Sequence, residues 1–205
     1  VNVIAEHHDN PDLLFLGNDL GVFFSIDRGE HWNPLKANMP AVPVKDLVLH
    51  PREEDLVVAT YGRGLYVANI FPLVEFDAET LARSVHLFDI EAGVTTRSPR
   101  SDWGSYHLRG DRHLRTENEP AGLSIDYLLG SDTVQSVSIV IHGEDGEEIA
   151  AMENTTERGL NRVQWDTGAA EEPVQPGDYT VTLRGGGETL SKVGTLRAPR
   201  AFPIG

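Results

Sequence analysis

The sequence of 205 residues predicts an all-β chain with two β domains. Residues 1–25 and 44–68 repeat each other at a constant offset of 43 positions. Short runs of β-branched and aromatic residues alternate with turn residues, and no segment keeps the 3.6-residue period of a long amphipathic helix. We therefore place repeats in residues 1–75, a connector in 76–120 and a second β domain in 121–200.

The repeat aligns without a gap, so that Asp12 matches Asp55 and Gly21 matches Gly64. The apolar runs predict strands over 1–6, 12–17, 20–26 and 31–35 in the first copy and over 44–49, 55–60 and 64–70 in the second. Four short antiparallel strands in about 43 residues match the size of one propeller blade. A propeller needs roughly four to eight blades, so we expect this chain to be a piece of a longer protein whose other blades precede it.

Residues 25–32, Ser-Ile-Asp-Arg-Gly-Glu-His-Trp, connect the third and fourth predicted strands. The Asp27 carboxylate can accept backbone N–H groups across its own turn, and Gly29 can adopt the positive φ that such a turn needs. Ser25, Asp27, Gly29 and Trp32 together resemble the Asp-box of BNR repeats in sialidase-like and sortilin-like propellers. The resemblance implies a structural role for all four residues, remote from any catalytic centre. A catalytic Asp27 would need a second carboxylate or a nucleophile nearby, and the motif marks neither.

The second copy lacks this motif, because Ala68, Ile70, Pro72 and Glu75 stand at its four positions. That loss is expected of a final blade, whose chain leaves the propeller. The segment ATYGRGLYVANI, residues 59–70, resembles the last blade of bacterial BNR-repeat proteins of the glycosyl-hydrolase and sortilin-like kinds.

The segment that follows is predicted to be a connector with one or two helical turns over 77–85 and with Asp77 as the N-cap. Its polar, arginine-rich remainder is predicted to be partly ordered and anchored by Trp103 and Tyr106, since aromatic residues are scarce in true linkers. A mobile linker is the alternative.

From residue 121 the pattern predicts six or seven strands in an immunoglobulin-like or fibronectin-like sandwich. The turn over 144–147 has Asp-Gly at its centre, which favours a hairpin. The segments NEPAGLSIDYLL, LNRVQWD and Pro-Gly-x-Tyr resemble the small sandwich that follows BNR propellers and the immunoglobulin-like module of the flagellar hook cap. Trp165 and Tyr179 are expected in the core, with stacking on a sugar as the alternative.

The composition excludes several classes of function. The formal net charge of −15 argues against binding to nucleic acid or to anionic lipid. The chain has no cysteine, and hence neither disulfides nor thiolate metal sites. No apolar stretch is long enough to span a membrane, and no phosphate-binding loop indicates a nucleotide cofactor, so we expect no cofactor.

Few residues are candidates for binding or catalysis. The strongest are possible ligand contacts in loops at a propeller rim: Asp19, His50, Tyr61 and Arg63. His7 and His8 occupy a loop equivalent to that of His50, and their spacing marks no metal site; we predict that they are solvated, and we predict no metal-binding and no catalytic residues. The carboxylates Asp9, Asp12 and 53–55 could pair for glycoside hydrolysis, but solvated charges are the more common outcome.

These features predict a non-catalytic C-terminal portion of an exported BNR-repeat or sortilin-like protein, located outside the cell, in the periplasm or on the cell surface. Its partners would be the upstream blades of the same protein and a peptide or glycan. The alternative is part of a sialidase-like or xyloglucanase-like glycoside hydrolase whose catalytic carboxylates lie in the upstream blades. A third possibility is a ring that several copies of this chain close.

Overall fold

The structure is a computed structural model that describes residues 1–35, 39–95, 120–132, 134–169 and 173–198. It divides into two compact units, Val1–Ala82 and Arg83–Gly205. Antiparallel strands dominate both units, and the described helices are short. The prediction of an all-β chain is therefore confirmed.

The first unit begins with a four-stranded antiparallel meander in which each strand pairs with the next along the chain. Its strands are β1 (Val3–Glu6), β2 (Leu14–Asn18), β3 (Gly21–Ser25) and β4 (Asn33–Pro34). β1, β3 and β4 lie inside their predicted segments and β2 extends one residue beyond its own, so these four predictions are confirmed. The fourth strand is only two residues long and pairs with Phe23 and Phe24 of β3.

A second meander with three strands follows, again in chain order. Its strands are β5 (Val44–Leu49), β6 (Asp55–Thr60) and β7 (Leu65–Asn69), as predicted. Where the first repeat has β4, this repeat continues into two short helices, α1 (Phe71–Val74) and α2 (Ala78–Ala82). The Asp77 carboxylate accepts the Thr80 N–H at 2.7 Å, so the predicted N-cap is confirmed.

The buried residues of the two meanders follow the repeat. Leu13 and Phe15 are buried on or beside β2, and their partners at the offset of 43, Leu56 and Val58, are buried on β6. The two meanders meet closely at Gly17, where an added Cβ would lie 2.5 Å from a methyl carbon of Val44. The sequence repeat therefore reports a repeated pattern of burial.

The second unit consists of two sheets that enclose one apolar core. The smaller sheet has the order β13-β10-β8 and the larger one the order β12-β11-β14-β15-β9. Their strands are β8 (Val85–Leu87), β9 (Gly93–Val94), β10 (Leu123–Leu129), β11 (Val137–His142), β12 (Glu148–Asn154), β13 (Gly159–Trp165), β14 (Gly177–Gly185) and β15 (Glu188–Arg197). The predicted hairpin at 144–147 joins β11 to β12, and Gly146 has the positive φ that its turn requires.

Two contacts between side chains link strands of this unit. Asp126 of β10 is buried and lies opposite Arg162 of β13, whose guanidinium binds both carboxylate oxygens at 2.7 and 2.9 Å. Trp165 and Tyr179 are also buried, with ring centroids 5.1 Å apart, so their predicted place in the core is confirmed. The ion pair therefore joins β10 to β13 within one sheet, and the two rings join β13 to β14 of the other sheet.

The unit boundary differs from the predicted connector over 76–120. Residues 77–82 belong to the first unit, whereas β8 and β9 pair with strands β10 and β15 of the second unit. Strands as short as two or three residues leave almost no alternation in the sequence, which is why they escape a prediction from pattern alone. The predicted anchors Trp103 and Tyr106 lie outside the described residues.

Candidate functional site

Strand order places the loops of the first unit at two opposite ends. Successive strands of a meander run in opposite directions, so the loops after β1, β3 and β5 lie at one end and those after β2 and β6 at the other. We call the first the Asp27 end, because it carries the 25–32 turn, and the second the Tyr61 end. Since β6 has six residues, the two ends of its sheet lie about 20 Å apart.

The 25–32 turn at the Asp27 end is held by its own side chains. Asp27 Oδ1 accepts the Ser25 hydroxyl at 2.7 Å and the His31 backbone N–H at 2.9 Å. The buried Ser25 Oγ in turn accepts the Gly29 N–H at 2.8 Å. Asp27 therefore bonds across its own turn, as the sequence predicts, and Ser25 links the turn's beginning to its middle.

Glycine and tryptophan complete this turn. Gly29 has φ +90°, a left-handed conformation that a side chain would strain. A Cβ at Gly29 would lie 3.3 Å from the Trp32 ring, so the ring packs directly over the turn. The four residues of the predicted motif thus form one continuous set of contacts.

Hydrogen bonding sets the charge of Asp27. The His31 backbone N–H, then the Ser25 hydroxyl and the His31 ring, lower the pKa of Asp27 to about 2. The ring nitrogen Nδ1 of His31 lies 2.6 Å from Asp27 Oδ2. Both carboxylate oxygens are therefore occupied, and the group stays ionised at any ordinary pH.

A second carboxylate does lie near Asp27, although the sequence motif marks none. Oxygen and nitrogen atoms of Asp27, Glu30 and His31 all fall within 4.8 Å of one another. A retaining glycosidase uses two carboxyl groups roughly 5 Å apart, but one of them must act as an acid with a raised pKa. Because its pKa is lowered, Asp27 is not that acid, and because both of its carboxylate oxygens are already hydrogen-bonded, it is not free to act as the nucleophile either.

The loop after β1 connects the two repeats through a buried histidine. His7 is 2% exposed, and its Nε2 lies 2.8 Å from a carboxylate oxygen of Glu54 in the loop after β5. The His7 Nδ1 accepts the backbone N–H groups of Asp9 and Asn10 at 3.3 and 3.2 Å. The prediction of a solvated His7 is therefore wrong, because the ring is shared between two loops.

The second repeat keeps half of this arrangement. His50, the partner of His7 at the offset of 43, accepts the backbone N–H groups of Arg52 and Glu53 through its own Nδ1 at 3.4 and 3.0 Å. In both repeats a histidine ring thus closes the turn after the first strand. The sequence signal for this role is that both copies of the repeat have a histidine at the same position, His7 and His50.

The same geometry argues against a metal at His7. Suitable atoms of His7, His8 and Glu54 lie within 4.8 Å of one another. Because Nδ1 of His7 accepts two N–H groups, the ring proton sits on Nε2 and is donated to Glu54. Nε2 then has no lone pair for a cation, so the ring would have to break its backbone bonds before it could bind one.

Arg28 ties the turn to the loop after β1. Its guanidinium pairs with Asp12, and its backbone N–H donates to the Asp12 carbonyl oxygen at 3.2 Å. The pair raises the pKa of the guanidinium. The Asp27 end is therefore a set of loops that hold one another, from the turn through Asp12 and His7 to Glu54.

The four predicted rim residues do not come together. His50 lies at the Asp27 end, whereas Tyr61 and Arg63 lie in the loop after β6 at the Tyr61 end. Asp19, in the loop after β2, is at that second end too, where its carboxylate accepts a hydrogen bond from Asn2 at 2.9 Å. Tyr61 is exposed, with the Lys45 ammonium 5.4 Å from its ring centroid. A single ligand contact through all four residues is excluded by this separation.

Both meanders carry an apolar row on the face away from their shared core. Val48, Val57 and Val67 pair in register across β5, β6 and β7, so they share one face. Val48 is 54% exposed and Val67 is 64% exposed. Leu65, two residues from Val67 on the same strand face, is 71% exposed. A solvated sheet face would normally carry polar residues at these positions.

The first meander has a corresponding apolar row that is less exposed, because Leu16 and Phe23 are half-buried. Ile4, Leu16 and Phe23 pair in register across β1, β2 and β3, and Ile4 is 57% exposed. We call this row and the Val48–Val57–Val67 row the outward rows. Two apolar outward rows on one small unit are more than scattered exposed apolar residues, and exposed apolar patches of this kind mark interaction surfaces.

Comparisons with known proteins add nothing to the resemblance to BNR propellers. Neither the protein-family models nor the curated proteins include a match to this chain. Among the described residues no helix combines the length and apolarity that crossing a membrane requires. The turn, the loops and the outward rows are therefore the features that bear on function.

Proposed function

We propose that the chain is the C-terminal part of an exported BNR-type β-propeller protein. The two meanders are its terminal blades, and the second unit is an immunoglobulin-like accessory domain. The chain has no catalytic step of its own. It completes the propeller and supplies a module for stability or for contact with a peptide or glycan.

The outward rows carry this proposal. Blades of a propeller pack face against face around a ring, so each blade buries both of its faces. In the described first unit, one face of each meander is buried and the other presents an apolar row. Covering a half-exposed Val or Leu side chain contributes about 1 kcal/mol, so Val48, Leu65 and Val67 together favour a further sheet.

The Asp27 turn supports the non-catalytic part of the proposal. Its carboxylate is ionised and fully hydrogen-bonded, and its partners are within the same turn or one loop away. These bonds fix the path between β3 and β4. A group that serves a turn in this way is not available to attack a substrate or to donate a proton.

Cysteine labelling tests the proposal directly, because the chain has no native cysteine. Val67→Cys would be introduced into this chain and into the protein extended at its N-terminus by the blades we expect there. We predict fast reaction with a maleimide in this chain and reaction at least about tenfold slower in the extended protein, since a packed sheet excludes the reagent.

Glu153→Cys is the control, because Glu153 is exposed on β12 of the second unit. It should react at the same rate in both proteins. Equal rates at Val67 in the two proteins would refute the proposal. A symmetric particle of this chain alone in light scattering, with Val67 protected, would show instead that several copies close the ring.

A further inference from the structure

The second unit has a cavity of about 420 Å³ at one end of its larger sheet. It opens between the turn over 143–147, which joins β11 to β12, and the segment 173–177, which leads into β14. Its volume is in the range of sites that hold a small ligand or a single large side chain. Nothing in the proposed function of the first unit uses this cavity.

Part of the cavity wall is apolar. Ile149, Val174 and Tyr179 line it, and Ile149 is 41% exposed. The Tyr179 hydroxyl already donates to the Gln175 carbonyl oxygen at 2.7 Å, so this wall offers the ring and aliphatic carbons to a ligand. Such a wall suits the methylene stem of a long side chain.

The carboxylates of Glu144 and Glu147 also line the cavity, and Oε1 of Glu144 lies 3.7 Å from the position of an added Cβ at Gly177. The Glu147 carboxylate lies against Gly143, where any Cβ would overlap it. Burial, and after it the charges of Glu147 and Glu144, raise the pKa of Tyr179. Neither glutamate forms an ion pair within the described part of the chain.

We propose that this cavity binds an organic cation with an aliphatic stem. This is the chemistry of a lysine or arginine side chain and equally of a free alkylamine. The stem lies on Ile149, Val174 and the Tyr179 ring, and the cationic head lies between Glu144 and Glu147. The apolar wall excludes water from the stem, while the two carboxylates supply the charge that the head requires.

The test is a titration of the whole chain followed by ¹H–¹⁵N correlation spectra. The probes are N-acetyl-lysine methylamide, pentylamine and the uncharged N-acetyl-norleucine methylamide. We expect both cations to shift the amide signals of 143–149 and 173–179. At equal concentration the norleucine compound should shift these signals at least about fivefold less. Added salt should weaken the binding of both cations.

Glu144→Gln and Glu147→Gln should each weaken binding of the cations about two- to fivefold, as expected for partly exposed ion pairs. Glu153→Gln, at the far end of β12, is the matched control and should leave binding unchanged. Gly143→Ala should also weaken binding, because the added methyl displaces the Glu147 carboxylate. The correlation spectrum of each variant shows whether the fold is kept.

Three results would overturn the proposal. The first is equal binding of the norleucine compound, and the second is unchanged affinity in both glutamine variants. The third is displacement of the amines by Ca²⁺ at a concentration lower than the amines require for binding, which would show that the cavity is a metal site. If the lysine compound binds and pentylamine does not, the cation comes from a peptide; if both bind, a free amine serves as well.

Discussion

Replacing His7 by alanine should destabilise the first unit. The ring is 2% exposed, accepts two backbone N–H groups and donates to Glu54. Leaving a buried polar partner without its bond costs about 1–3 kcal/mol. Some of the freed groups will reach water, so we expect a loss of about 2–4 kcal/mol in the free energy of unfolding.

A double-mutant cycle separates the link to Glu54 from the rest of that loss. His7→Ala, Glu54→Gln and the double variant would be unfolded in urea, with hydrogen exchange of the β1 and β5 amides reporting on the first unit. A hydrogen bond to a charged group contributes about 1.5–3 kcal/mol, so we expect a coupling energy of at least about 1 kcal/mol.

His50→Ala is the matched control for this prediction. His50 makes the same backbone bonds through Nδ1 but is only half buried. Its loss should cost about 1 kcal/mol. A loss below about 0.5 kcal/mol for His7→Ala, or a coupling within error of zero, would refute the reasoning that His7 joins the two repeats.

Three further predictions concern charge and backbone. The Asp27 carboxylate should titrate near pH 2 by NMR, because its folded pKa lies below the ordinary value of 3.8. Its stabilising contribution is therefore present above pH 4 and is lost between about pH 4 and 2, and a midpoint near 4 would contradict its bonding. Gly122→Ala should unfold the second unit in thermal melts, because φ is +95° and a Cβ would overlap the Trp165 carbonyl oxygen. Gly187→Ala is the control: its φ is +81° but the space around it is open, so it should lower the free energy of unfolding by only about 1 kcal/mol. Arg162→Met should cost about 2–3 kcal/mol in urea, because Asp126 is left buried without a partner, and adding Asp126→Asn should recover part of it.

The sequence was sufficient for features whose physical causes are local. Strands β1 to β3 and β5 to β7 follow from runs of four to six residues, rich in apolar side chains, between turn residues, and the 43-residue offset checks each copy against the other. The Asp27 turn is equally local, because its bonds join Ser25, Asp27, Gly29 and His31 within a span of seven residues.

Contacts between residues that are far apart in the sequence could not be predicted from it. His7 and Glu54 are 47 positions apart, and nothing in the residues between them identifies the pair. The same holds for β8 and β9, whose partners β10 and β15 lie far along the chain. Such pairings depend on the assembled sheets, which a pattern of apolar residues does not specify.

The grouping of the rim residues could have been tested from the sequence itself. His50 follows the first strand of its repeat, whereas Tyr61 and Arg63 follow the second. Loops after successive antiparallel strands lie at opposite ends of a meander, so these residues could not share one site. The predicted order of strands therefore already separates His50 from Tyr61 and Arg63.

The most direct test of the central claim is an experimental structure of the protein with the blades that we expect to precede this chain. In that structure we predict that both outward rows, Ile4–Leu16–Phe23 and Val48–Val57–Val67, are buried against neighbouring sheets. Either row left facing solvent in the complete protein would contradict the claim that these meanders are blades of a larger closed body.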